Sequence, residues 1–167
     1  RTDGAIRIAR ALEPFELMWL EIDTRDPMAL AQIKSSTNTP ICSGEQLLGM
    51  RDYQPYFRLH AMDTVKIDVA WQGFLNAKQA ADLAEIYELN IAPHNPASHL
   101  ATFQSAHLTA SVSNVRIMES DVDSAPWRDE ITTNSPEIKD GYMTIPTGPG
   151  WGTDLDEAAA KKYAFKG

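Results

Sequence analysis

Apolar and polar positions along the chain switch repeatedly between a helical period and short apolar runs. Residues 2–15 place Ile6, Ala9, Leu12 and Phe15 near helical spacing, with Asp3 set to cap them. The apolar run 17–20 ends in Glu21, which predicts a buried strand with an acidic C-terminal end. Residues 27–33 predict a helix with Pro27 in its first turn, a favoured place for proline. The run 40–45 is a second strand closed by Glu45, and 47–59 is a weaker helical stretch interrupted at Pro55. Residues 64–69 form a third strand that ends near Asp68. Residues 76–89, rich in Ala and Leu, give the clearest helix. A short strand, 90–92, runs into Pro93-His94, residues 102–112 are helical, and 115–118 is a fifth strand closing on Glu119. After Ser120, Pro and Gly punctuate an ordered wrap that ends in a short helix over 156–163.

Strand followed by helix, five times without a hairpin signal between them, is the pattern of parallel βα units. The marked strand ends recur at intervals of 24, 23, 26 and 25 residues, from Glu21 through Glu45, Asp68 and His94 to Glu119. A barrel unit averages about 30 residues, so these units are compact. In a parallel barrel all strand C-termini open on one face, where active sites sit. Five ionisable side chains are therefore expected to converge there. Glu21 and Glu45, on adjacent strands, can hold a hard cation such as Mg²⁺, which prefers oxygen ligands. Asp68 and His94, on the next two strands, can form a dyad in which the carboxylate orients the imidazole. Glu119 then faces the metal across the mouth.

Taken singly, each of these residues has a plainer reading. Glu21 reads as a helix cap or loop carboxylate, His94 as a satisfied structural histidine, and Glu119 as an ion-pair partner of Arg116 or Arg128. Only their recurrence at one structural phase points to a site. Cys42, inside the second strand, reads as a buried structural thiol. His99 and His107 read as capping or packing residues, and His60 as a complement to a helix dipole. Strand alternation puts Lys66 on the side of Asp68, with a structural ion pair expected. Asn95 and Ser98 either touch substrate or serve turns, Trp71 either walls the pocket or packs, and Trp151 belongs to the tail.

Composition narrows the classes. The 167 residues carry 15 basic and 23 acidic side chains, a formal charge of −8. An acidic chain without clustered Lys and Arg is not built for nucleic acid or an anionic membrane surface. There is no uncharged apolar run of about 18 residues to span a bilayer, and no secretory leader pattern. The single cysteine excludes an internal disulfide and suits a reducing cytoplasm. A cytoplasmic globular protein is the expectation.

These residues also carry a resemblance. Trp19-Leu20-Glu21, the run Pro40 to Glu45, Lys66-Ile67-Asp68-Val69 with Gly73, and Ala92-Pro93-His94 resemble the C-terminal barrel domain of the enolase superfamily. More narrowly they resemble the mandelate racemase/muconate lactonizing enzyme group, in its mandelate racemase-like branch. The ending from Ile145 to Gly152, with Asp154-Leu155-Asp156, is similar to the closing segment of that branch's acid-sugar dehydratases. The resemblance implies an α/β fold, the C-terminal part of a TIM-like (β/α)7β barrel with five parallel strands and an ordered tail. It implies that Glu21 and Glu45 are metal ligands for Mg²⁺. It also implies that His94, paired with Asp68, is a general base or acid, and that Glu119 hydrogen-bonds the substrate carboxylate.

The implied chemistry is abstraction of a proton α to a carboxylate, with dehydration of a hydroxy acid to a 2-keto-3-deoxy acid as the leading expectation. Racemisation, epimerisation or cycloisomerisation on the same residues is the alternative, and an inactive barrel fragment with a structural role is another. Two departures stand out. The family has a second Glu and a Pro after the ligand matching Glu21, where this chain has Ile22 and Asp23, so Asp23 competes for the ligand role. The usual Gly-Gly after the dyad Asp is Gly73-Phe74. The family's first metal ligand, N-terminal capping domain and first barrel strands have no counterpart in residues 1–167. The expectation is a partial barrel domain, completed by the missing N-terminal part of the same enzyme, acting on a small hydroxy acid and assembling as a homo-oligomer.

Overall fold

A computed structural model describes residues 1–164 apart from 97, 123, 124 and 126. Four strands, β1 (Leu20–Glu21), β2 (Ile41–Ser43), β3 (Thr64–Asp68) and β4 (Asn90–His94), form one parallel sheet in sequence order. Parallel neighbours cannot be joined by tight turns, and each crossover here is helical. Helix α1 (Thr2–Leu12) precedes β1, α2 (Pro27–Lys34) joins β1 to β2, and α3 (Met50–Arg58) joins β2 to β3. The short α4 (Val69–Gln72) and α5 (Phe74–Ile86) lead to β4, and α6 (His99–Ala110) follows it.

The expected fifth strand is reduced to one parallel bridge, Ile91 to Val115. Backbone bonds from Ile91 N–H to Asn114 C=O and from Arg116 N–H to Ile91 C=O still align the segment with β4. The first strand is also shorter than 17–20 suggested, and lies at the sheet edge with Leu20 half-buried.

Period-2 alternation sorts the strand residues into two faces. Ile41, Val65, Ile67 and Ile91 enter a core shared with the helices. Leu30 and Ile33 of α2 and Tyr53, Tyr56 and Phe57 of α3 contribute to it. From α5 come Ala77, Ala80, Ala81 and Ala84, spaced to line one helix face, and their small side chains bring the backbone close to the sheet. The opposite face of the sheet carries Cys42, Lys66, Asp68 and His94.

Two helix expectations are corrected. Helix α1 begins at Thr2, so Asp3 is not its cap; it lies in the first turn, favoured by the helix dipole, 3.5 Å from Arg7. Helix α3 starts at Met50 rather than 47 and runs through Pro55. Proline removes one backbone donor there, and the buried face of Tyr53, Tyr56 and Phe57 holds the helix regardless.

Among the described residues the tail contains a hairpin that the βα pattern does not predict. Ile138–Lys139 (β5) and Tyr142–Met143 (β6) pair antiparallel across Asp140-Gly141. Both turn residues have positive φ, 51° and 81°, the demand of a tight hairpin turn that Asp-Gly meets. Trp151 seats between Phe74 and His107, with ring centroids 5.4 and 5.6 Å away. The terminal helix α7 (Glu157–Lys162) is capped by Asp156. No helix among the described residues is long and apolar enough to cross a membrane.

Candidate active site

β3 and β4 pair in register, with Asp68 directly opposite His94. That register makes the dyad: His94 Nδ1 lies 2.8 Å from Asp68 Oδ2. The other carboxylate oxygen, Oδ1, accepts the Trp71 N–H at 2.7 Å and caps α4. Asp68 is thus buried and held at both oxygens, so it orients the imidazole rigidly. With Nδ1 turned to Asp68, Nε2 is the ring atom that faces the rest of the site. Nε2 lies 3.1 Å from Glu45 Oε2. Trp71 stands edge-on to the imidazole, centroids 5.3 Å apart, and is 56% exposed. It walls the dyad rather than filling the core.

Glu45 reaches this position through the turn after β2. Gly44 has φ +117°, and a Cβ there would meet the Lys66 carbonyl oxygen at 3.1 Å. Only glycine lets the chain pass so close to β3. Asp23 pins the same turn, its Oδ1 accepting from Ser43 Oγ at 3.2 Å and Gly44 N–H at 3.1 Å. Gln72 ties its far end by accepting the Gly49 N–H, and also donates to Tyr53 Oη.

Glu21, Asp23 and Glu45 form a carboxylate cluster whose nearest oxygens lie within 4.8 Å of one another. Burial pushes the Glu21 carboxyl above its ordinary range; Lys66 opposes this, and Asp23 and Glu45 reinforce it. Three clustered carboxylates and an all-oxygen donor set suit a small hard cation such as Mg²⁺.

Lys66 occupies the centre. Its ammonium lies 3.4 Å from Glu21 Oε2 and 3.1 Å from Glu119 Oε2. The ion pair expected for Lys66 exists, with these two glutamates as partners. The two carboxylate oxygens are no more than about 6.5 Å apart (3.4 and 3.1 Å end to end), so segments on either side of β3 meet at Lys66. All five strand-end residues are therefore gathered at one mouth.

Glu119 is mounted by Asn95. The Asn95 N–H donates to Glu119 Oε2 at 2.8 Å, and Asn95 Nδ2 to the Glu119 carbonyl at 3.1 Å. Burial is the largest influence on this carboxyl and opposes its charge, but Asn95 N–H and Lys66 outweigh it and hold it below the ordinary range. Of the remaining candidates, Ser98 caps α6 and Cys42 is buried, its thiol pushed up to about 12 mainly by burial. His99 pairs with Asp129 of the tail, and His107 with the Trp151 carbonyl. His60, just past α3, has φ 47° and sets its ring against Tyr87.

A family model described as enolase C-terminal domain-like matches residues 1–159. The chain belongs to this family. Over this length its fold is the C-terminal part of the mandelate racemase/muconate lactonizing enzyme-type barrels of the enolase superfamily. A D-galactonate dehydratase family member from Oceanicola granulosus is 29% identical over 97% of this chain and 41% of its own length. A solved Burkholderia xenovorans strain LB400 protein named for L-alanine-DL-glutamate epimerase, with magnesium and fumarate bound, is 39% identical. It superposes with a TM-score of 0.95 over 98% of this chain and 41% of its own. A mandelate racemase/muconate lactonizing enzyme-like protein from Rubrobacter xylanophilus is 37% identical, with a TM-score of 0.91 over 99% of this chain and 43% of its own. The chain spans about two-fifths of the length of the relatives it matches.

Proposed function

We propose that these residues form part of the active site of a Mg²⁺-dependent enzyme that removes the proton α to a carboxylate. The leading reading is dehydration of an acid sugar to a 2-keto-3-deoxy acid. The observation that carries it is the meeting of two groups: the His94–Asp68 dyad lies within 3.1 Å of the carboxylate cluster, through Glu45.

Glu21 and Glu45 would hold the cation, with Asp23 fixing the turn that carries Glu45. When bound, the cation would neutralise charge developing on the substrate carboxylate as the enediolate forms. His94 Nε2 takes the α-proton, and Asp68 stabilises the imidazolium through Nδ1–H. In dehydration the C–O bond to the β-hydroxyl breaks, the hydroxyl leaves as water on receiving a proton, and the enol tautomerises to the 2-keto acid. Trp71 shields the imidazole from solvent on one side. A further metal ligand and the remaining barrel strands come from outside residues 1–167.

Racemisation or epimerisation is the second reading, favoured by the name of the 39%-identical solved relative. The distinction lies in the fate of the β-hydroxyl. An aldonate panel incubated with the Mg²⁺-loaded full-length protein should yield 2-keto-3-deoxy acids. Deuterium exchange at the α-carbon with every hydroxyl retained would overturn the dehydratase reading and leave the isomerase one.

A further inference from the structure

The helix α4 has only four residues, a single turn, too short to be stable without outside support. Asp68 caps its start through the Trp71 N–H, and Val69 enters the core. At its far end Gly73, with φ +79°, turns the chain into α5. The remaining anchor is the buried side chain of Gln72, which reaches across to the loop after β2. Its Oε1 accepts the Gly49 N–H at 2.9 Å, and its Nε2 donates to Tyr53 Oη at 3.1 Å. Tyr53 is wholly buried, and its ring lies against the turn at Gly44, where an added Cβ would meet it at 3.3 Å. One amide therefore holds both ends of the loop that carries Glu45, directly at Gly49 and through Tyr53 at Gly44. Burying an amide costs desolvation that an apolar side chain avoids, so the two bonds mark Gln72 as a link rather than as filling.

We propose that Gln72 is a positioning residue: it ties α4 to the Glu45 loop and thereby sets Trp71 and Asp68 against the His94 imidazole. The inference rests on the reading of His94 as the base, and names what keeps the dyad in place beside the metal-carrying loop. Asp68 Oδ1 takes the Trp71 N–H while Oδ2 lies 2.8 Å from His94 Nδ1, and the Trp71 ring stands edge-on to the imidazole. A shift of α4 loosens the bond to Oδ1, lets the carboxylate turn, and moves the wall with it. Misplacing a reacting group by about 1 Å costs up to about 100-fold in rate. That cost falls on kcat and not on KM, because the buried Gln72 offers the substrate no surface.

The test combines aldonate turnover by the Mg²⁺-loaded full-length protein with fluorine NMR of the same protein labelled with fluorotryptophan. The Trp71 resonance is identified by its loss in Trp71→Phe. Gln72→Met removes both bonds at similar volume; it should lower kcat about 10- to 100-fold with KM within about threefold, and shift the Trp71 resonance. Gln72→Glu should restore both readouts. Ionised, it accepts from Gly49 and from the Tyr53 hydroxyl; protonated, it donates to Tyr53 as the amide does. Tyr53→Phe, which removes one bond, should act in the same direction more weakly, and decides the matter if Gln72→Met does not fold. Trp127, stacked on Tyr163 in the tail, is the control. A Trp71 resonance unmoved by Gln72→Met would overturn the inference. So would equal movement of the Trp127 resonance, which would make Gln72 merely structural, or a loss carried by KM alone. A wild type that turns over no aldonate would overturn the proposed function, and the Trp71 and Trp127 resonances then decide for or against Gln72 by themselves.

Discussion

The two flanks of the sheet each present one glutamate to Lys66, and the two carboxyls respond in opposite directions. On the β1 flank, Glu21 stands beside Asp23 and Glu45, and burial with these like charges lifts its pKa above the ordinary range despite Lys66. On the far flank, Glu119 takes the Asn95 N–H as well as the lysine, and its pKa falls below that range. The side chains are chemically identical and similarly exposed, and the same ammonium serves both. What differs is the company: on one flank the lysine meets two further carboxylates, on the other a backbone N–H joins it. The first suits a cation.

The largest expected effect removes the base between the flanks. His94→Asn should lower turnover of the full-length protein about 10²- to 10⁴-fold with an unchanged melting temperature; undiminished turnover would remove His94 from its role. The flanks themselves separate in a Mg²⁺ titration. Glu45→Gln should weaken binding of the metal about 10- to 100-fold, whereas Glu119→Gln should leave it within about threefold; equal losses would erase the contrast. Asn95→Ala attacks only the far flank. It deletes the amide that donates to Thr102 and to the Glu119 carbonyl, and should cost about 1–3 kcal/mol in denaturant unfolding without affecting Mg²⁺ binding.

The smallest effect is a pH dependence. Because the folded-state pKa of Glu119 is depressed, its stabilising contribution is present above its unfolded value of 4.5 and is lost as pH falls through the folded value. Glu119→Gln should therefore lower the melting temperature at pH 7, and the deficit should shrink as the pH is taken below 4.5. A deficit that is constant with pH would mean that the charge of Glu119 contributes nothing to folding.

Much of the fold was legible because a parallel βα unit repeats two periods in a fixed order. The strand ends at Glu21, Glu45, Asp68, His94 and Glu119 fall out of that repeat, and their meeting at one mouth follows from parallel topology. In the sequence Asp23 reads as a rival ligand for Glu21. Its bonds to Ser43 and Gly44 cross to a neighbouring strand, which spacing along the chain does not encode. Lys66 was placed correctly on the side of Asp68, yet its partners belong to strands two positions away on either side. In the sequence Asn95 reads equally as a substrate contact or a turn residue, and only its burial beside Glu119 shows that it holds that carboxylate. The β5–β6 hairpin is carried in the sequence by Asp140-Gly141 alone, because a strand of two residues on each side is too short to show a period.

The sequence by itself determined which groups stand at the strand ends, because side-chain period and strand order are local properties of the chain. Tertiary structure alone decided the state of those groups. The direction of a carboxyl's pKa depends on burial and on charges a few ångströms away, and the packing of segments distant in the chain sets those distances. That packing turned Lys66 from a residue beside Asp68 into the link between two unlike glutamates.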